Sequence, residues 1–379
     1  MSASLGFCLY KYFPFGGLQR DLLRIAQACH KRGARIRVYC FSWQGDCPDW
    51  IERVTVPRKG WSSQSKNRHF YDWVQQHRRN NPVDCLVGFN KMPGLDVYYA
   101  ADGCYEARVT ELYGRIYRLG GRYRHFSEYE AAVFGRGEPT EVLMISRLQV
   151  PIFQRFYQTE DKRLHLLPPG IARDRIASDD SEHIRRQFRR EFGIADDECL
   201  LLMVGSGFKT KGVDRSVRAL ASLPAEQRQK TRLFVVGQDR PAAIQRLARK
   251  LGVAERFQIF SGRDDIPRFM QGADLLVHPA RHENTGTVLV EAVVAGLPVM
   301  VTDVCGYAHY ISDADMGEVL ASPYEQSAFD HSLARILPEL ITGRTQWRQR
   351  GRQFAAEQDV FSMPEVAAEH ILRFAGGQS

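Results

Sequence analysis

No stretch of this 379-residue chain reaches the roughly 18 uninterrupted apolar residues that a spanning helix requires. The opening Met1-Ser2-Ala3-Ser4 has no basic n-region, and the apolar run behind it breaks at Lys11, so no secretory signal is expected. Internal repeats and low-complexity tracts are missing, which removes solenoids and fibrous arrays. The eight cysteines (Cys8, Cys29, Cys40, Cys47, Cys85, Cys104, Cys199 and Cys305) form no C-x-x-C pair and have no histidine at finger spacing. That argues against a zinc module and against a disulfide framework. Most of them sit inside apolar runs, where a reduced thiol packs as a small hydrophobe, and a reducing cytoplasm is the expected compartment. A dinucleotide fingerprint is wanting too, because Gly205-Ser206-Gly207 has no third glycine at the required place. No RNA-module signature stands in a recognisable setting, so nucleic acid is not an expected partner.

What is present is ordinary globular material: 44% apolar and 25% charged residues, in a length that suits two domains. The net charge of +8 is unevenly spread. Residues 1–167 hold 25 Lys and Arg against 16 Asp and Glu, a net of +9, and the remainder nets −1. Such asymmetry suits a partner bearing phosphates, whether nucleic acid, an anionic membrane surface or a phosphorylated substrate; solubility alone is the bland alternative.

Short apolar runs alternate with helical patterns along most of the chain. Residues 5–10, 36–41, 83–89, 97–101, 142–145 and 164–167 read as strands in the first part. A helix after Gly16-Gly17 places Leu18, Leu22, Ile25, Ala26 and Cys29 on one face and stops at Gly33. Pro168-Pro169-Gly170 marks a boundary. Beyond it, 199–204, 233–236, 257–260, 275–277 and 299–301 read as strands, with helices near 211–221, 241–251 and 264–272. Fully apolar strands alternating with helices predict parallel sheets covered on both faces, hence an α/β chain of two doubly wound, Rossmann-like domains facing a central cleft. The domains are expected at 1–167 and 168–345, with a helical tail over 346–379 packing back toward the first. Ligands of such sheets sit beyond the carboxyl ends of the strands, so function is sought in the strand-to-helix loops.

The most informative loop runs from His278 to Val299. It leaves a strand, passes through small residues and opens a helix near Thr287, where backbone N–H groups of Thr285, Gly286, Thr287 and Val288 suit a phosphate or polyhydroxyl ligand. Glu283 and Glu291 flank that position, and a carboxylate can accept hydrogen bonds from two neighbouring hydroxyls. The plain alternative makes Glu291 an acid favoured by the helix dipole and Glu283 a solvated loop residue.

Glu283-x7-Glu291, with Gly286, Ala292 and Gly296-x-Pro298-Val299, resembles the E-x7-E signature of retaining glycosyltransferases of the GT-4 family, which have the GT-B fold. Gly16-Gly17-Leu18, Val204-Gly205-Ser206 with Lys211-Gly212, and Ser261-Gly262-Arg263 resemble the glycine, phosphate-side and base-side loops of that family. The segments 9–21, 88–98 and 305–310 are similar to the branch that adds glucose from UDP-glucose to a heptose of the lipopolysaccharide inner core. The resemblance implies retaining transfer through an α-1,3 linkage without a metal or other cofactor. It also implies a peripheral location on the cytoplasmic face of the inner membrane. It assigns catalysis to Asp102, Glu283 and Lys211. Donor binding falls to Gly16, Gly17, Arg175, Gly205, Lys209, Lys211, Arg263, Glu283, Asn284, Thr285, Gly286, Thr287 and Glu291. Lys11, Arg20 and Asp21 fall to the acceptor, although Asp21 reads equally as a helix-capping residue. In these roles Glu283 holds sugar hydroxyls, Glu291 the ribose diol and Lys211 the diphosphate, where charge develops on the leaving group. One departure stands out: the usual Arg before the Lys is Thr210 here, with Lys209 one position earlier. A sugar-nucleotide epimerase of the same architecture is the rival enzyme reading, and a binder of RNA or anionic lipid the non-enzymatic one. Asp313-Ala-Asp315 is a D-x-D, expected at the surface, and His278 and His309 are expected to be structural.

Finally, Val109, Leu112, Tyr113, Ile116 and Tyr117 fall at helical spacing. Arg115, Arg118, Arg122 and Arg124 accompany them in the segment 105–134. A basic, aromatic amphipathic helix suits an anionic membrane interface; a helix packed on its own domain with a solvated basic face is the alternative.

Overall fold

Alternate residues of the main strands feed two different apolar cores, and this makes each of two parallel sheets covered on both faces. The computed structural model describes residues 2–14 and 16–377. By contacts the chain forms two units, residues 1–170 with 362–379, and residues 171–361.

The first unit carries β1 (Ser4–Cys8), β2 (Lys11–Tyr12), β3 (Arg35–Cys40), β4 (Ser42–Trp43), β5 (Ile51–Thr55), β6 (Cys85–Gly88), β7 (Val97–Ala100), β8 (Glu141–Met144) and β9 (Leu164–Leu166). Seven of these form a parallel sheet in the order β5-β3-β1-β6-β7-β8-β9, and β2 pairs with β4 beside it. Leu5 and Phe7 pack with Leu22, Ile25 and Ile371 on one face. Tyr98 and Ala100 pack with Phe70, Val133 and Phe153 on the other. The helix Gly17–Lys31 buries Leu22, Ile25, Ala26 and Cys29 of the expected apolar stripe, with Leu18 partly buried, and Gly33 ends it with φ of +91°, a backbone state that favours glycine.

The second unit carries β10 (Cys199–Val204), β11 (Thr231–Val236), β12 (Phe257–Phe260), β13 (Leu275–His278), β14 (Val299–Thr302) and β15 (Gly317–Leu320), all parallel, in the order β12-β11-β10-β13-β14-β15. Leu200 and Leu202 join Phe188, Phe269, Leu289 and Val293 in one core. Leu201 and Met203 join Val217, Leu220, Phe329 and Leu333 in the other.

The tail differs from expectation. Instead of one helix packing toward the first domain, it holds two that belong to different units, Arg344–Glu357 in the second and Met363–Gly377 in the first; residues 378–379 lie outside the described residues. Gly351 lies so close to the helix Thr287–Val294 that a Cβ would sit 2.3 Å from the Val293 carbonyl oxygen. Met363, Ala367, Ala368 and Ile371 are instead buried in the core under the helix Gly17–Lys31. All eight cysteines are unpaired. Among the described residues no helix is long and apolar enough to cross a membrane.

Candidate active site

β10 and β13 are neighbours in the second sheet, so the loops at their carboxyl ends start side by side. After β10 the chain turns through Gly205 at φ +137°, where a Cβ would stand 3.3 Å from Lys211 Cε. Gly212, at φ +75°, is packed so tightly that a Cβ would fall 2.0 Å from the Pro279 carbonyl oxygen. Glycine at these two positions lets the backbones meet. Three straps then fix them. Arg281 N donates to the Thr210 carbonyl at 2.8 Å, the Arg281 guanidinium forks onto Asp214 at 2.7 Å on both arms, and Arg215 Nη1 donates to the Pro279 and Ala280 carbonyls at 3.0 and 3.1 Å.

This arrangement brings Lys211 Nζ into direct contact with the Glu283 carboxylate, with side chains 21% and 15% exposed. Behind the pair, His278 is fully buried at the end of β13, its Nε2 3.5 Å from Glu283 Oε2. Burial pushes the His278 pKa down to about 3, and the Lys211 charge adds to the shift, so the ring is neutral at physiological pH. Burial also pulls Lys211 below its usual pKa, with Cys305 opposing.

Beyond Glu283, which forms an isolated parallel bridge with Cys305, Tyr307 N donates to the Thr285 carbonyl at 2.8 Å. Gly286 takes φ +83° and starts the helix Thr287–Val294, which has no side-chain cap and no acid in its first turn. Its first amides are therefore donors for an anion. Glu291 lies in the second turn, not at the helix start, so the dipole does not account for it. Its carboxylate, 12% exposed, is 3.7 Å from Arg175 Nε. Gly205, Lys211, Glu283, Asn284, Thr285, Gly286, Thr287, Glu291 and Arg175 thus belong to one region of the second unit.

Other expected residues stand apart. Lys209 is exposed on the short helix Phe208–Lys211, and it is its carbonyl that takes part in the loop, accepting from Arg281. Arg263 turns to Asp265, at 2.6 and 2.9 Å, and to the Phe269 ring. Asp315 pairs with Arg350 at 2.9 Å, and His309 Nδ1 lies 3.1 Å from the Gly306 carbonyl. Among the described residues no group of three His, Cys, Asp or Glu is placed to hold a metal ion. In the first unit Gly16 precedes the helix Gly17–Lys31, and a Cβ on it would strike the Gln19 side chain. Asp21 accepts a hydrogen bond from Tyr99 at 2.9 Å. Burial pushes its pKa up, with the Tyr99 bond and the Arg20 and Arg24 charges opposing. Lys11, Arg20 and Asp102 are exposed.

The expected helix through Val109–Tyr117 does not form. The helix Tyr105–Leu112 ends, a 3-10 turn covers Arg115–Leu119, and a new helix runs Gly121–Phe134. Gly114 and Gly120-Gly121 supply the breaks, since glycine costs a helix interior about 1 kcal/mol against Ala. The apolar side chains consequently point outward: Leu112, Tyr113, Ile116 and Leu119 are exposed, Ile116 by 85%, and only Val109 is buried. Arg115, Arg122 and Arg124 are exposed among them, while Arg118 pairs with Glu106 at 2.9 Å.

The sequence reading missed Arg281, Asp214 and Arg215, which join the two loops. The only local signal was their charge beside the glycines.

Residues 184–354 match the family model "Glycosyl transferases group 1". The lipopolysaccharide glucosyltransferase WaaG of Escherichia coli K12 is 50% identical over 367 residues, spanning 97% of this chain and 98% of that protein. A crystal structure of WaaG superposes with a TM-score of 0.89 over 97% of this chain and 99% of that one, at 50% identity. Sucrose-phosphate synthase from Thermosynechococcus elongatus, 14% identical, shares the fold at a TM-score of 0.78 over all of both chains. With half of its residues shared along nearly the full length of a curated relative, the chain belongs to the group 1 glycosyl transferases and is an enzyme of the GT-B fold.

Proposed function

We propose that this enzyme transfers glucose from UDP-glucose, with retention and through an α-1,3 linkage, to a heptose of the lipopolysaccharide inner core. The full-length similarity to a lipopolysaccharide glucosyltransferase supports the reaction. The observation that carries the site is the half-buried Lys211–Glu283 pair beside an uncapped helix start. In this reading Lys211 and the first amides of the helix Thr287–Val294 take the diphosphate, Glu283 takes glucose hydroxyls, and Glu291 with Arg175 takes the ribose. Asp102 positions the transferred sugar or the acceptor; Asp21, Lys11 and Arg20 belong to the acceptor side.

The bond from glucose C1 to the β-phosphate oxygen breaks and a bond from C1 to the acceptor oxygen forms on the same face. The acceptor proton passes to the departing phosphate oxygen, and UDP leaves. Lys211 and the amide dipoles stabilise the charge that grows on the diphosphate. Neutral, buried His278 is not the base. No metal or cofactor enters this scheme. Peripheral binding to the cytoplasmic face of the inner membrane is part of the proposal, and the exposed Leu112, Tyr113, Ile116 and Leu119 among arginines support it.

The test is UDP release from a panel of nucleotide sugars with EDTA present, with and without heptose-terminated lipopolysaccharide. Acceptor-dependent release from UDP-glucose alone is expected. Release from another donor overturns the glucose assignment, and no release from any donor overturns the transfer reading. In parallel, replacing Arg115, Arg122 and Arg124 by Ser should release the protein from vesicles containing anionic lipid; unchanged co-sedimentation removes the membrane claim.

A further inference from the structure

Trp61 is fully exposed, more so than any other large apolar side chain among the described residues. It stands in a loop that is held at both ends. Val56 is buried and its N donates to the Cys40 carbonyl at 2.8 Å, while Ser62 caps the helix Ser63–Asn80 in a reciprocal pair with Ser65, at 3.1 Å each way. Gly60 takes φ +113°, and a Cβ on it would stand 2.4 Å from Ser65 Oγ, so the loop crosses the helix start closely. An apolar residue just before a helix cap ordinarily packs on the fourth helical residue. Here that residue is Lys66, so the indole finds no apolar partner and is carried outward on a fixed root.

The charge around it has one sign. From Arg53 to Tyr71 the chain holds Arg58, Lys59, Lys66 and Arg68 as well as Arg53, and no acid. Residues 112–127 are likewise free of acid and hold Arg115, Arg118, Arg122 and Arg124. The fold brings these two stretches together. Ser62, Gln64 and Arg68 line one side of an open depression of about 490 Å³, and Gly121, Arg124 and Glu128 line the other. Trp61 is the chain neighbour of Ser62, and only Gly120 separates the exposed Leu119 from Gly121, so the indole and Leu119 flank the same depression. Glu128 pairs with Arg68 at 3.7 Å and Glu106 with Arg118 at 2.9 Å. Arg58, Lys59, Arg115, Arg122 and Arg124 have no acidic partner among the described residues.

We propose that the Trp61 loop is a second membrane contact: the indole enters the interfacial layer of an anionic phospholipid bilayer, and Arg58 and Lys59 lie against its headgroups. The inference rests on the peripheral-membrane reading above and extends it to a loop that reading does not include. An indole has an apolar body and one N–H, which suits the boundary between acyl chains and water. Cations beside it gain from the negative surface potential of such a bilayer. A protein partner fits less well, because the centres of protein interfaces are depleted in lysine and other charge. A single ring among cations of one sign matches a uniformly anionic plane.

The probe is vesicles of phosphatidylcholine and phosphatidylglycerol in about equal amounts, with bromine on the acyl chains, added to the full chain. Co-sedimentation gives the partition coefficient, and bromine quenching of tryptophan fluorescence reports which rings meet lipid. Trp43, Trp50, Trp73 and Trp347 are all partly buried, so quenching is expected to come from Trp61. Trp61→Ser removes no packing contact and leaves the fold intact. It should abolish most of the quenching and lower the partition coefficient roughly tenfold, which needs only about a third of the ring's surface to leave water. Arg58→Ser and Lys59→Ser should each cost about fivefold at low salt and little at high salt. Vesicle binding that persists undiminished in Trp61→Ser, with its quenching unchanged, overturns the proposal and leaves the peripheral-membrane reading standing. No binding of the wild type to these vesicles overturns both. Self-association without lipid that is lost in Trp61→Ser, alongside unchanged vesicle binding, assigns the ring to a second copy of the chain and overturns the proposal as well.

Discussion

Lys211 and Glu283 hold each other across loops 72 positions apart in the chain, and on the proposed reading both exchange that contact for ligand when a nucleotide sugar arrives. An ammonium and a carboxylate at 21% and 15% exposure are partly desolvated already, so little reorganisation accompanies the exchange. Glu283→Ala should lower kcat/KM for UDP-glucose by about 10²–10³, the scale for removing one preorganised polar contact to a transition state. Steady-state UDP release checks this, and an unchanged circular dichroism spectrum shows the fold intact. Turnover near the wild-type rate would take Glu283 out of the site. His278 makes a separate prediction. Its folded pKa of about 3 lies below the unfolded value near 6.5, so its neutral burial supports the fold fully above pH 6.5. That support is lost as pH falls toward 3, at no more than about 1.4 kcal/mol per pH unit. Urea titrations of wild type and His278→Gln at pH 7, 6, 5 and 4 should show the steeper acid decline only in the wild type.

At the scale of elements, Glu130 shows how an irregular segment is anchored. It is fully buried on the helix Gly121–Phe134 and accepts from Tyr105 N at 2.8 Å, Glu106 N at 3.1 Å, Tyr157 Oη at 2.9 Å and the Lys91 ammonium. It thereby satisfies the first amides of the helix Tyr105–Leu112 and ties the exposed segment to its unit. Glu130→Ala should cost about 3–5 kcal/mol, because it strands the largely buried Lys91 charge. Denaturant unfolding measures the loss, and faster amide exchange over 105–119 would show where it acts. Most of this was not legible in the sequence. The periodicity from Val109 to Tyr117 suggested one helix, and three glycines outweighed it. Central strands were legible because burial on both faces makes them continuous apolar runs. The edge strands β5 and β15 were not, since each is half-exposed and carries charge, as in Ile51-Glu-Arg-Val-Thr55. The helix Ser63–Asn80 escaped because it is polar nearly all round, with Phe70 and Val74 its buried residues; its Ser62–Ser65 capping box was the signal to read. The Glu283–Glu291 spacing could be read locally. The straps from Arg281 to Asp214 could not, because they depend on β10 and β13 being neighbours.

For the whole molecule, the decisive fact is that the chain returns. After 191 residues in the second unit, 171–361, it re-enters the first and contributes the helix Met363–Gly377 to that core. Met363, Ala367, Ala368, Ile371 and Ala375 are the buried face, and the three alanines allow a close approach to the helix Gly17–Lys31. The first unit is therefore incomplete until the helix Met363–Gly377 has been made, and its stability depends on residues far from its sheet in sequence. Ile371 is entirely buried, so Ile371→Ala should destabilise that unit by about 2–5 kcal/mol, the range for a core isoleucine cut to alanine. Ending the chain at Phe361 should do more, leaving the apolar stripe of Gly17–Lys31 bare and the protein prone to aggregate. Thermal unfolding followed separately in the two units, by fluorine-labelled tryptophan at Trp43 and Trp347, distinguishes the outcomes. A loss confined to the Trp43 transition supports the assignment of the helix to the first unit. An equal loss at Trp347 would mean that the two units unfold as one, and an unchanged melt for Ile371→Ala would mean that the helix does not hold the first core together.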